Sequence, residues 1–102
     1  MRMRKLFSIY DSKAKCYWHP FTSETRGTGL RQWEAMVNDE RMEMLYKYPS
    51  DHTLYEIGEF DSERGVVSAY AENVNLGLAD GVKRVPEGML PLESAIKSVK
   101  SN

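Results

Sequence analysis

The chain has almost no cysteine. Cys16 stands alone, so no intramolecular disulfide is possible and the fold must be held by burial and hydrogen bonding, as expected in a reducing compartment. Long apolar runs are also missing; nothing approaches the ~20 residues that a membrane-spanning helix needs. The basic start, MRMRKLFSIYDSK, carries too short an apolar stretch and no small-residue cleavage site, which is unlike a secretory signal. A soluble intracellular product with no membrane partner is expected. Soft metal ligands are scarce. His19, His52 and Cys16 lack the spacing of a zinc site, and no Cys-His-Asp pattern or Gly-rich phosphate loop can be read. Glu56 and Glu59 could hold magnesium only if they shared a strand face, and residues three apart do not unless a bulge intervenes. No enzyme, cofactor or metal site is expected.

What is present is a pattern of strands. In the stretch 50–70, Leu54, Tyr55, Ile57 and Phe60 precede the polar turn Asp61-Ser62-Glu63-Arg64-Gly65, and Val66, Val67 and Tyr70 follow. This predicts a hairpin closed by a glycine at positive φ, with Gly58 marking a bulge or a closely packed neighbour. Upstream, Leu6, Phe7, Ile9 and Tyr10 put apolar groups on both faces of a first strand, which suits an interior position in the sheet. A turn at Asp11-Ser12-Lys13-Ala14 leads to a short strand from Lys15 to His19 that Pro20 ends, with Cys16 half-buried in it. A helix follows, capped by Thr22 or Ser23, with Leu30, Trp33, Met36 and Val37 as its apolar stripe and Asn38 as its stop. Gly27 and Gly29 weaken that helix by ~1 kcal/mol each, so they imply close packing on the sheet or backbone N–H groups turned to an anion. Residues 39–48 suit a short helix, and 73–81 an irregular loop or an edge strand.

At 102 residues the chain fits one α+β domain: an antiparallel sheet of three to five strands with one main helix packed on one face. The expected division is a domain over 1–82, then a linker and tail over 83–102, in which Leu92, Ile96 and Val99 could line a short helix.

The formal net charge is −1, but it is unevenly spread. Residues 1–33 carry seven cationic groups against two acids, residues 34–82 three against eleven, and residues 83–102 four against two. Such asymmetry bears on partners. The basic first third also holds Tyr17 and Trp18. Basic grooves with exposed rings are what single strands require. Arg4, Lys5, Lys13, Lys15, Arg26 and Arg31 are the candidate phosphate contacts, and Tyr17 and Trp18 the candidate stacking rings. The competing reading buries these aromatics under the helix and leaves the lysines to solvate a turn. The acidic middle could meet a second copy's basic third, giving a homodimer, or form a solvated face.

The segments Lys5-Leu6-Phe7-Ser8-Ile9-Tyr10-Asp11-Ser12-Lys13-Ala14, Pro20-Phe21, Val37-Asn38-Asp39 and Leu54-Tyr55-Glu56-Ile57-Gly58-Glu59-Phe60-Asp61 resemble the small nonstructural protein of gokushovirus-like microviruses, phages with circular single-stranded DNA genomes. The similarity covers roughly residues 4–65. It implies action in the host bacterial cytoplasm, in viral DNA replication, with single-stranded DNA as the expected partner. The alternative is a protein-interaction module that docks a host replication factor, the phage initiator or a capsid protein.

Overall fold

Residues 3–11 alternate so that Phe7 and Ile9 face one way and Leu6, Ser8 and Tyr10 the other, and both sets need cover or partners. The computed structural model, which describes residues 2–84, makes this segment the central strand, β1 (Met3–Asp11). On one side it pairs with β4 (His52–Asp61); on the other it pairs in turn with β2 (Cys16–Tyr17) and β3 (Phe21–Ser23). The last strand, β5 (Val66–Leu78), lies beyond β4, and every pairing is antiparallel. The interior position of the first strand, the 50–70 hairpin and the α+β class are all as expected from the sequence. Gly65 closes the β4–β5 turn at φ 67°, and Lys15 takes the same left-handed position, φ 57°, in the β1–β2 turn.

Four local expectations need correction. The second strand is two residues long: the Trp18 N–H still donates to the Ile9 carbonyl, but His19 and Pro20 leave the ladder, and Phe21–Ser23 then rejoins β1 as a strand the sequence did not announce. Thr22 and Ser23 are therefore strand residues, and the helix α1 (Arg26–Val37) is capped by Thr25, whose hydroxyl accepts from the Thr28 N–H while Thr28 answers in a capping box. The third correction is Cys16, which is exposed, not half-buried. The fourth is the 39–48 segment: Glu43 at φ 49° splits it into a single 3-10 turn, Glu40–Met42, and one helical turn, α2 (Met44–Lys47). Asn38 does end α1, and its side chain ties that end to the carbonyl of Val82 and the N–H of Arg84. Of the two readings for 73–81, the strand holds as far as Leu78, where Ala79–Val82 forms a last 3-10 turn. The tail helix expected near Leu92, Ile96 and Val99 lies outside the described residues.

The core forms where α1 lies on one face of the sheet. Phe7, Ile9 and Leu54 from the strands meet Trp33 and Val37 from α1 and Leu45 from α2, all at 1% exposure or less. Gly29 lets α1 approach this face. A Cβ there would stand 2.3 Å from the Phe7 ring, so close packing accounts for Gly29. Gly29→Ala is expected to cost about 1–3 kcal/mol by overpacking, read as a lower urea midpoint at unchanged m-value, whereas Gly27→Ala, with only the Thr25 hydroxyl near, is expected to be neutral or stabilising.

Candidate nucleic-acid interface

The sheet has a second face, opposite α1. Strand alternation and register put Arg4, Leu6, Ser8 and Tyr10 of β1 there, beside Tyr17 of β2 and Thr22 of β3. β4 contributes Thr53, Tyr55, Ile57 and Phe60, and β5 contributes Val67 and Ala69. No acidic side chain stands at these positions. The acids of β1 and β4, namely Asp11, Glu56, Glu59 and Asp61, fall on the helix side by the same register.

A bulge makes this segregation possible. Phe7 pairs with Glu56 but Leu6 pairs with Gly58, so Ile57 is the extra residue. The bulge brings Glu56 and Glu59 to one face, the arrangement the sequence allowed only in this event. Each is then taken by a cation. Arg26 Nε donates to Glu56 at 2.6 Å, Lys5 Nζ donates to Glu59 at 2.6 Å, and the Tyr70 hydroxyl donates to the other Glu56 oxygen. Burial pushes the Glu56 carboxyl up, yet the bonds from Arg26 and Tyr70 outweigh it and hold the group below the usual carboxylate value. The Glu59 contact holds the Lys5 ammonium above its usual value. The chemistry of this cluster is that of a neutralised structural network. Among the described residues no three His, Cys, Asp or Glu side chains gather as metal ligands, and His52 and Cys16 are separated by burial: His52 is inside, its Nδ1 donating to the Tyr48 carbonyl at 2.9 Å.

The eight candidate residues are accordingly divided. Tyr17 is on the open face and 46% exposed. Its ring meets Tyr10 at 4.9 Å and Tyr55 at 5.7 Å between centroids. Trp18 is half-buried at the rim, its ring edge-on to buried His52 at 5.5 Å. Lys13 and Lys15 are exposed in the turn beyond Tyr10 and Tyr17. Arg4 is on the open face at the other end of β1, bonded to the Thr22 hydroxyl at 3.1 Å. Lys5 and Arg26 are on the helix side with their acids, and Arg31 is exposed on α1. Sequence reasoning placed Tyr55 in a strand without naming it as a stacking ring, and left Tyr10 out of the stacking pair. The alternation of Thr53, Tyr55 and Ile57 against His52, Leu54 and Glu56 was the available signal, since it places Tyr55 away from the core.

Between the tyrosines and β5 the open face dips into a cleft of about 370 Å³ lined by Leu6, Ser8, Trp18, Pro20, Ile57 and Val67, among others. No helix among the described residues is long and apolar enough to cross a membrane. No curated protein and no solved structure matches the chain. A family model does match, over residues 4–82, and on that span the chain belongs to the phage ORF5 protein family.

Proposed function

We propose that this phage protein is a non-enzymatic, nonstructural protein of a microvirus, that it acts in viral DNA replication in the host cytoplasm, and that it binds single-stranded DNA on the open face of its sheet. The observation that carries the reading is the cluster of Tyr10, Tyr17 and Tyr55 on a face whose ladder positions hold no acid. Bases stack on such rings without regard to sequence. Lys13 and Lys15 at one end of the face and Arg4 at the other supply phosphate contacts. The acidic middle of the chain, an obstacle in the sequence, turns Glu56 and Glu59 to the far side.

Titration of a fluorescent single strand of roughly 30 nucleotides and of the matching duplex, at two salt concentrations, tests this. Tighter binding of the single strand is expected, with Tyr17→Ala losing ~1–3 kcal/mol per stacked base. Replacing both Lys13 and Lys15 with Gln is expected to flatten the log–log salt slope by ~1.4, at ~0.7 per phosphate contact. Salt-independent affinity, or equal binding of the duplex, would overturn the proposal.

The apolar cleft favours a second reading, in which the face docks a side chain of a phage or host replication protein. No single-strand binding at low salt, with that partner bound and lost on Val67→Glu, is the outcome this reading expects.

A further inference from the structure

Two irregularities in the sheet shape the cleft on the open face. Leu6 pairs with Gly58, and Gly58 with Ala69. Gly58 raises no side chain, and a Cβ there would stand 2.4 Å from the Ser68 carbonyl oxygen. The sheet is therefore bare between Leu6 and Ala69, which both line the cleft. The second irregularity is in β5. Glu56 pairs with Val74, so residues 70–73 stand opposite Ile57 alone. Insertions of this kind re-aim side chains. Tyr70 goes to Glu56 on the helix side, while Asn73 comes to the cleft.

The walls are apolar. Tyr17, Trp18 and Pro20 stand on the β2 side of β1, and Ile57 and Val67 come from β4 and β5. Ser8, 2% exposed, donates its hydroxyl to the Trp18 carbonyl at 2.6 Å and holds that wall in place. The Asn73 amide is exposed, and no hydrogen bond engages it among the described residues. At about 370 Å³ the space is near the low end for small-molecule sites, ~300–1,000 Å³, which suits one ring system.

A nucleobase has flat apolar faces and an edge that both donates and accepts. The amide of an asparagine matches such an edge, with a donor and an acceptor side by side. An aliphatic or phenyl side chain of a protein gives that amide nothing to bind. Charge points the same way: no acid lines the cleft, and Tyr17 in its wall leads back to exposed Lys13 and Lys15, which suits a chain of phosphates. A base within a duplex is held in its stack, so only an unpaired one enters freely.

We infer that this cleft is a pocket for one unpaired nucleobase, its faces against Leu6, Ile57 and Val67 and its edge held by Asn73. The inference rests on the single-strand reading of the open face. It adds to the tyrosine stacking a site that a duplex does not fill.

The test titrates the full chain against two strands of ~12 nucleotides, within the range of single-strand site sizes. One is oligo(dT); the other has the same phosphates and no bases. Ala69→Phe fills the cleft and leaves the three tyrosines and the lysines in place. It is expected to bind oligo(dT) about five- to hundred-fold more weakly, the range for one lost base contact, and to bind the abasic strand as the native chain does. Asn73→Leu removes the amide without emptying the rim, and is expected to lose about five-fold on oligo(dT) alone, as one lost hydrogen-bonding pair does. Far-UV circular dichroism confirms that both variants are folded. If Ala69→Phe binds oligo(dT) as tightly as the native chain, or weakens equally on both strands, the pocket is overturned and the single-strand reading stands. Native affinity in Asn73→Leu would overturn the role of Asn73. A native chain that binds neither strand at low salt would overturn the single-strand reading and the pocket with it, and give the cleft to a protein side chain.

Discussion

Arg26→Ala is expected to lower stability near neutral pH and to have almost no effect in acid. The side chain is half-exposed, so its own burial contributes little. Its importance lies in Glu56, which is 1% exposed and receives the Arg26 Nε at 2.6 Å. Stranding the Glu56 carboxylate in the interior without its cation costs about 3 kcal/mol, the lower end for a broken buried pair because the Tyr70 bond remains. The pH dependence follows from the direction of the shift. In the native chain the Glu56 carboxyl lies below its ordinary value of 4.5. Its contribution is therefore present above about that pH and disappears as pH falls through the lowered folded value. Without the guanidinium the carboxyl loses its strongest lowering contact and moves up from its native position, so the gap between the two proteins closes as the group protonates. Urea unfolding of both proteins at pH 7 and near pH 4 checks this: a wide gap at the first and a narrow one at the second. A gap of the same width at both would show that Arg26 acts through packing alone.

Trp33→Ala is expected to have the largest effect of any core truncation in the helix layer. Trp33 is 1% exposed and belongs to the cluster that includes Phe7, Ile9, Val37, Leu45 and Leu54. Emptying that position costs about 3–5 kcal/mol, as transfer free energy plus an unfilled cavity. A chain of this size has little stability to spare, since small domains hold about 5–15 kcal/mol in all. The expected result is a partly unfolded protein at 37 °C, seen as a lost near-ultraviolet signal and a steeply lowered urea midpoint. Trp33→Phe retains most of the volume and is expected to restore most of the midpoint. A midpoint close to native for the alanine variant would mean that α1 is not the cover of the core.

These two residues differ in how they announce themselves. Trp33 falls at helical spacing from Leu30 and Val37, so its role follows from period and polarity. Nothing in the local sequence connects Arg26 to Glu56. Arg26 reads as one more cation in a basic third, and only the crossing of α1 over β4 brings it to an acid. The same holds for Lys5 and Glu59, joined by the β1–β4 register.

By itself the sequence determined the α+β class, the central first strand, the β4–β5 hairpin with its glycine turn and the helix stripe, and it offered a bulge or a close neighbour at Gly58. All of these rest on short-range features: strand alternation, helical spacing, turn chemistry and the conformational freedom of glycine. The tertiary structure alone decided which cations are neutralised, which rings reach solvent and that the acids of β1 and β4 turn away from the tyrosines. Those outcomes depend on pairing register, and in a sheet a one-residue bulge exchanges the faces of everything beyond it. Local sequence does not fix that register; the closure of the whole sheet around its core does.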